Sequence, residues 1–222
     1  TWTSKRVRVA EHRGFRTAPW AIDEAIGAVE ARLGEGVVGE GSLNISTTID
    51  ALLQRVADRA VADGLRALRE RYPSAKGAQA AAVALDPHSG DILAVVGGGS
   101  YAVSPFNRAT KAKRQVGSIV KPLSWLALLE SDVEMSATSW VPDDSIEREV
   151  NGELWAPQNY DGEFLGEVTL EHALTHSRNI PAVHVSEWVG LDPLAKHLRS
   201  LGLDQARAYP STALGAFDAT PL

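Results

Sequence analysis

The chain has 222 residues, of which 44% are hydrophobic and 23% charged. This is the composition of an ordinary globular protein, and it excludes disordered, collagen-like and disulfide-scaffold chains. Lys and Arg total 22 against 28 Asp and Glu, a net charge of −6 that disfavours nucleic acid as a partner. Cysteine is absent, which excludes disulfides, thiolate nucleophiles and Cys-based zinc sites.

The first half of the chain predicts a linker, two helices and a hairpin. Residues 1–17 are basic and irregular, and a helix is expected from Pro19, because Pro suits the first helical turn. Leu43–Thr47 alternates as a strand does, and Asp50 is a suitable N-cap for a helix that runs to Pro73. The apolar runs Ala80–Leu85 and Ile92–Val96, separated by a Pro- and Gly-containing turn, predict an antiparallel hairpin.

The second half of the chain is predicted to be mostly helical. Helices are expected at Leu170–His176 and Pro181–Trp188, and a third is expected to start at the Asp192–Pro193 cap signal and to end at Gly202. Two or three strands make a poor sheet for so many helices. We therefore expect this chain to be a piece of a larger sheet protein.

A tetrad that begins at Ser118 and ends at Lys121 is the first candidate for chemistry. The chain has six lysines, and only Lys121 has a serine three positions before it. Pro122 has no N–H, so Ser118 must lie at the very start of a helix. This spacing places the hydroxyl and the amine on one face, within reach of a hydrogen bond, and a lysine of lowered pKa can activate a serine. A bare S-x-x-K is more often an N-cap serine before an exposed lysine, so the motif needs support.

A second polar cluster, Ser177-Arg178-Asn179, is predicted to lie in a loop between two helices. A serine and an amide two residues apart can relay a proton and hydrogen-bond a peptide. The pattern is weak by itself, since Ser42-Leu43-Asn44 also matches it.

Several linked segments resemble class A penicillin-binding proteins, from about Pro19 onward. The residues from Phe106 to Ala109 and from Arg114 to Pro122 are similar to the family's nucleophile segment. Pro157–Gly162, Val168–Leu170 and Ser177–Val183 resemble its second motif and the approach to it, and Asp86–Gly98 resembles its first hairpin. Segments in the right order are more specific than either short motif.

The resemblance implies a penicillin-recognising α+β fold, an antiparallel sheet flanked by helices, and a D,D-transpeptidase. Ser118 would attack the D-Ala-D-Ala carbonyl of a peptidoglycan stem peptide, with Lys121 as the base and the Ser118 N–H as an oxyanion donor. Ser177 would shuttle protons and Asn179 would orient the substrate amide. The implied partners are stem peptides, glycan strands derived from lipid II, and β-lactam antibiotics, at the outer face of a bacterial cytoplasmic membrane.

The chain departs from the family's pattern at its third motif, Lys-Ser/Thr-Gly-Thr, which the sequence lacks. Leu214–Leu222 resembles the stretch before that motif, so the chain is expected to stop before it. We expect residues 1–46 to be a linker region after a glycosyltransferase domain and residues 47–222 to be the N-terminal part of the transpeptidase domain. The rest of the polypeptide, with its membrane anchor, would then complete the site.

The sequence also allows alternatives to a transpeptidase. The same serine suits a D,D-carboxypeptidase or a β-lactamase, which pass the acyl group to water, and a non-catalytic scaffold module is also possible. His172, His176 and His184 favour a polar helix face over a metal site, because no H-E-x-x-H pattern supports zinc. No cofactor is expected. Trp140 and Trp155 flank an acidic loop that contains Asp143, which could cover a cleft.

Overall fold

The computed structural model describes residues 18–40 and 43–222. These residues form two compact units, one that ends at Ala112 and also includes Thr220–Leu222, and one that spans Lys113–Ala219. The helices are α1 (Pro19–Leu33), α2 (Val37–Glu40), α3 (Ala51–Arg71), α4 (Arg108–Lys111), α5 (Lys121–Leu129), α6 (Leu170–Thr175), α7 (Asn179–Val189) and α8 (Leu191–Ser200). The strands are β1 (Ala82–Leu85), β2 (Ile92–Val96), β3 (Arg114–Gln115), β4 (Trp140–Asp143), β5 (Arg148–Val150), β6 (Glu153–Trp155), β7 (Gly166–Thr169) and β8 (Asp218–Ala219).

The first unit contains the predicted helices and hairpin. Helix α1 begins at Pro19, and the Asp50 side chain caps α3 by accepting hydrogen bonds from the N–H groups of Leu52 and Leu53. Strands β1 and β2 pair antiparallel, with a shift in register between Ala84 and Leu85. The helix from Pro19, the Asp50 cap and the hairpin are therefore confirmed.

The strand expected at Leu43–Thr47 is wrong, because residues 43–50 have no regular secondary structure. The segment contacts β2 only through separate bonds: Thr48 Oγ1 donates to the Ile92 carbonyl at 2.7 Å, and Asp50 N–H donates to the Leu93 carbonyl at 2.9 Å. Alternating residues become a strand only where a neighbouring strand offers a continuous ladder, and here it does not.

The second unit consists of α5–α8 with three antiparallel strand pairs, β3–β8, β4–β7 and β5–β6. One apolar core contains Trp125 and Leu128 of α5 together with Val141, Leu170 and Val185, all of them buried. A second contains Val120, Leu194 and Leu198. Helix α5 is thus fixed along its length, which holds the residues at its N-terminus in place.

Helix α8 differs in one detail from its prediction. The helix forms, but it begins at Leu191 after Gly190, and no side chain caps it. Asp192 lies within the first turn, where its carboxylate still faces the positive end of the helix dipole.

The mixture of helices and antiparallel strands agrees with the predicted α+β class. The units divide between Ala112 and Lys113. The expected linker boundary after residue 46 stays a prediction. No helix in the described part of the chain has the length and apolar character that a membrane span needs.

Candidate active site

Ser118 lies in a short 3-10 helix, Gly117–Val120, that leads directly into α5. Pro122 cannot donate to the Ser118 carbonyl, and the backbone N–H of Lys121 donates to it instead. The proline thus explains why the helix opens with a tighter turn, and why Ser118 lies at its start as predicted. Ser118 is exposed, whereas Lys121, the first residue of α5, is only 1% exposed.

The turn before Ser118 is held by a close backbone approach. Gly117 has φ +58° and donates its N–H to the Gly215 carbonyl at 3.1 Å, while Val116 donates to the Phe217 carbonyl at 2.9 Å. Gly215 also has a positive φ, and a Cβ at that position would clash with the backbone of Gly117. A glycine is required at position 215 if the turn before Ser118 is to stay where it is.

The ammonium group of Lys121 has three acceptors, all on two residues at the start of α7 and just before it. Nζ lies 2.6 Å from the Ser177 carbonyl oxygen, 3.2 Å from Ser177 Oγ and 2.7 Å from Asn179 Oδ1. The fold therefore brings Lys121 to Ser177 and Asn179, which lie more than 50 positions further along the chain.

The electrostatic surroundings of Lys121 suit a proton acceptor. Burial, and then the positive charge of Arg178, lower the pKa of Lys121 from its ordinary 10.5 to about 8. Desolvation disfavours the charged form of an amine, and a neighbouring cation acts in the same direction.

The hydrogen bond expected between Ser118 and Lys121 is not formed. The three bonds of Lys121 Nζ all go to Ser177 and Asn179, so none is directed to Ser118 Oγ in the described part of the chain. Instead, Ser177 and Asn179 present three oxygens to the ammonium group, which has three protons to donate. Ser118 is one turn away, at the N-terminal end of the same helical segment.

The loop that carries Ser177 and Asn179 is fixed by a side-chain cap from elsewhere in the chain. Asn159 Oδ1 accepts hydrogen bonds from the N–H groups of Asn179 at 2.7 Å and Ile180 at 3.3 Å. These are donors at the start of α7, which the residue preceding the helix, Arg178, does not cap. Asn179 Nδ2 in turn donates to the Gln158 carbonyl at 2.7 Å.

Arg178 and Asp143 support the loop before α7, a role that the sequence assigned to neither of them. Asp143 is fully buried at the end of β4, where it forms an ion pair with Arg178 at 2.7 Å. The idea that Asp143 belongs to a loop over a cleft is therefore wrong, because it is a strand residue with a buried partner. Arg178 and Asp143 are 35 positions apart, so no local sequence pattern predicts their ion pair. The only signal in the sequence is a charged residue between Ser177 and Asn179.

The histidines of α6 and α7 have other neighbours than a metal-binding group would need. The rings of His172 and His176 stack on α6 with centroids 4.0 Å apart, and His184 lies 3.6 Å from Glu187 on α7. In residues 18–40 and 43–222 no group of three or more His, Asp or Glu side chains could hold a metal ion.

The sequence of this chain is similar to that of one family of known proteins. Residues 80–216 match the penicillin binding protein transpeptidase domain. Among curated proteins, penicillin-binding protein 1B of Buchnera aphidicola is 37% identical over 183 residues, which are 81% of this chain and 25% of that protein. Penicillin-binding protein 1B of Escherichia coli is 34% identical over 199 residues, 87% of this chain and 24% of that protein.

Solved structures give the same result. Penicillin-binding protein 1A of Haemophilus influenzae superimposes with a TM-score of 0.61 at 38% identity, over 64% of this chain and 22% of that one. The penicillin-binding protein PonA1 of Mycobacterium tuberculosis has a TM-score of 0.70 at 23% identity, over 90% of this chain and 53% of that one, a likeness in fold alone. The chain spans about a quarter of the length of the curated relatives it matches.

Proposed function

The chain belongs to the penicillin-binding protein transpeptidase family, in its class A branch, and from this premise we propose that it carries the nucleophile of a D,D-transpeptidase that cross-links peptidoglycan stem peptides. The observation that carries the proposal is the buried Lys121, with a pKa lowered to about 8, one helical turn from an exposed serine. The proposed active-site residues are Ser118, Lys121, Ser177 and Asn179.

The proposed first step is acylation of Ser118. Its Oγ attacks the carbonyl of the penultimate D-Ala, the Oγ–C bond forms, and the serine proton passes to the neutral Lys121 amine. The C–N bond then breaks, and the leaving D-Ala amine takes up a proton through Ser177. An acceptor amine from a second stem peptide attacks the ester, so that a new amide forms and the serine regains its proton. Atoms and protons balance over the two steps, with one D-Ala released.

The surroundings of Lys121 make this proton transfer feasible near neutral pH. An amine with a pKa of about 8 is neutral in roughly 10% of molecules at pH 7, roughly 300 times the fraction expected for an ordinary lysine. A neutral amine has two protons and a lone pair. The amine can then donate to only two of its three acceptors, which leaves the lone pair free to take the Ser118 proton.

The orientation of the substrate is assigned to Asn179. Its Nδ2 and Oδ1 are held by the Gln158 carbonyl and by Lys121, so the amide plane is fixed before the substrate arrives. Preorganised groups of this kind contribute to catalysis because they need no reorganisation in the transition state. The Ser118 N–H is proposed as one oxyanion donor.

The wider assignments follow from the family. We assign residues 47–222 to the transpeptidase domain, with residues 1–46 as a linker region, and the match over residues 80–216 supports the first of these. The proposed partners are stem peptides and lipid II-derived glycan strands, with β-lactams as acylating inhibitors. The proposed location is the outer face of the bacterial cytoplasmic membrane, with the anchor and the third motif supplied by other parts of the polypeptide.

The decisive experiment is labelling of the intact native protein with a penicillin, followed by location of the adduct by mass spectrometry. We expect the adduct on Ser118, and no adduct in Ser118→Ala. Ser145→Ala, which removes an exposed serine from the same unit, is the matched control and should label normally. An adduct on another residue, or labelling that survives Ser118→Ala, would refute the assignment.

A second measurement separates transfer from hydrolysis. The protein is offered a stem-peptide mimic that ends in D-Ala-D-Ala, together with a D-amino acid as acceptor. Formation of the exchanged peptide supports the transpeptidase, and release of D-Ala without exchange supports a carboxypeptidase.

A further inference from the structure

Arg178 is a buried arginine between the two polar residues of the proposed site, Ser177 and Asn179. Its side chain is 5% exposed, and each of its three nitrogens donates a hydrogen bond. Nε donates to Asp143 Oδ2 at 2.8 Å, Nη1 donates to Asp161 Oδ2 at 2.6 Å, and Nη2 donates to the Glu163 carbonyl at 2.6 Å. A guanidinium stays charged throughout the pH range in which proteins fold, so this is a permanent buried charge.

Asp143 connects Arg178 to the site by a second route. Its other oxygen, Oδ1, accepts a hydrogen bond from Asn159 Nδ2 at 2.7 Å, and Asn159 Oδ1 accepts from the backbone N–H of Asn179 at 2.7 Å. Asn159 Nδ2 also donates to the Glu163 carbonyl at 2.9 Å, the same oxygen that Arg178 engages. The network closes on itself, so Arg178 and the start of α7 are fixed relative to β4.

Lys121 contacts the residues on both sides of Arg178. Its Nζ donates to the Ser177 carbonyl and to Asn179 Oδ1, so Arg178 lies between two residues that the amine contacts. That charge lowers the pKa of Lys121 in addition to the larger effect of burial. No opposing carboxylate contacts the Lys121 amine in the described residues, because Asp143 and Asp161 are both engaged by Arg178.

The other charged groups on the elements packed against α5 have partners or lie at the surface. On α7, His184 and Glu187 interact with each other, and Glu187 also forms an ion pair with Arg148 at 2.6 Å. On α8, His197 lies 3.8 Å from Glu130 and Arg199 donates to the Ala206 carbonyl, while Asp192 and Lys196 are exposed.

We propose that Arg178 is a positioning residue of the acylation step. Together with Asp143 and Asn159 it holds Ser177 and Asn179 around Lys121, and it carries a permanent positive charge between the two residues that the lysine amine contacts. This inference rests on the proposed function. It adds to that function a residue that touches neither the substrate nor the nucleophile and acts through Lys121.

The test is the pH profile of acylation by a fluorescent penicillin, measured from pH 6 to 10 on the intact protein. Without the charge of Arg178, Lys121 holds its proton more tightly. Arg178→Gln should therefore move the midpoint upward by about half a pH unit and reduce the rate at pH 7 by roughly threefold or more. Arg178→Lys keeps the charge and should keep the wild-type midpoint. The matched control is Arg148→Gln, which removes another ion-paired arginine of the same unit and should leave the profile unchanged.

A lower rate with an unchanged midpoint in Arg178→Gln would assign a merely structural role and overturn the proposal. If Arg178→Gln leaves Asp143 uncompensated and unfolds, Arg178→Gln combined with Asp143→Asn keeps a neutral hydrogen-bonded pair of similar shape. A smaller upward shift is then expected, because a negative charge is removed together with the positive one. The proposal is also overturned if Arg178→Gln and the double variant both fail to fold while Arg178→Lys folds.

A second measurement does not depend on acylation. The free energy of unfolding in urea is measured at pH 7.5 and 9.5 for wild type and for Arg178→Gln, each with and without Lys121→Met. Subtracting the change with pH in the Lys121→Met protein from that in its parent isolates the titration of Lys121. The gain in stability on raising the pH should be smaller in Arg178→Gln than in wild type, because the native lysine titrates closer to its unfolded value. If penicillin fails to label Ser118 and this difference persists, the proposed function fails and the effect of Arg178 on Lys121 stands.

Discussion

Lys121 Nζ lies 2.7 Å from Asn179 Oδ1, although the two residues are 58 positions apart in the chain. The contact joins the first residue of α5 to the first residue of α7, and both helices are anchored by buried apolar residues such as Leu128 and Val185. The geometry of the amine is therefore set by helix packing, and its charge state by the burial that this packing produces.

The first prediction concerns Lys121 as the base. Lys121→Met should reduce the rate of acylation by a penicillin about 10²- to 10⁴-fold, the range typical of a lost general base. The protein should still fold, because Met occupies a similar space and the cost of burying a charged amine disappears. Lys196→Met is the matched control, since Lys196 is an exposed lysine of the same unit. Acylation of Lys121→Met within tenfold of the wild-type rate would contradict the assignment.

The second prediction is a pH dependence of stability. The pKa of Lys121 is about 8 in the folded protein and 10.5 as an ordinary lysine, so between these values the unfolded chain binds more protons. Stability must then rise with pH over this window, and this residue should contribute about 2 kcal/mol between pH 7.5 and 9.5. Urea unfolding at the two values checks it. Lys121→Met should lack this contribution, and an equal pH dependence in both proteins would refute the lowered pKa.

The third prediction concerns the glycine beside the nucleophile turn. Gly215→Ala adds a Cβ that would lie 2.7 Å from the Gly117 carbonyl carbon and closer still to its nitrogen and oxygen. We expect a loss of more than about 2 kcal/mol and a clear fall in acylation, because backbone strain and displacement of the Ser118 turn add together. The measurements are the urea midpoint and the acylation rate.

Gly202→Ala is the control for Gly215→Ala. Gly202 has φ +89°, but a Cβ there meets nothing within 4 Å, so only the conformational cost of about 1–2 kcal/mol remains. Its acylation rate should stay near that of wild type. Equal effects of the two substitutions on acylation would show that the contact between Gly215 and Gly117 does not position the nucleophile.

The fourth prediction concerns the cap of α7. Asn159→Ala removes the acceptor for the Asn179 and Ile180 N–H groups and leaves a buried oxygen of Asp143 without its amide donor. We expect a loss of about 2–4 kcal/mol, because an unsatisfied buried acceptor adds to the cost of a lost cap. Acylation should also fall, since Asn179 holds Lys121. Thermal unfolding and the acylation rate measure the two effects.

Thr169→Ala provides the comparison, because Thr169 Oγ1 is an ordinary side-chain cap for α6. That variant should lose about 1 kcal/mol and acylate normally. If Asn159→Ala costs no more than Thr169→Ala, the network around Asp143 does not stabilise the site.

Local sequence determined the elements whose signals lie within a few residues. The Asp50 cap, the start of α1 at Pro19 and the position of Ser118 at a helix start each follow from one side chain acting on its nearby backbone. The Leu43–Thr47 strand failed for the converse reason, since a strand needs a partner ladder that no local pattern guarantees.

The candidate site likewise has features that local sequence determines and features that depend on the folded chain. The sequence alone determined which residues could react, because Ser118 with Lys121 and Ser177 with Asn179 stand at recognisable spacings within family-like segments. Only the tertiary structure decided that the Lys121 amine donates to Ser177 and Asn179, and that Arg178 pairs with Asp143 and Asp161. The physical reason is range: a cap or a helical spacing acts over a few residues, whereas burial and the field of a buried charge depend on segments that meet only when the chain is folded.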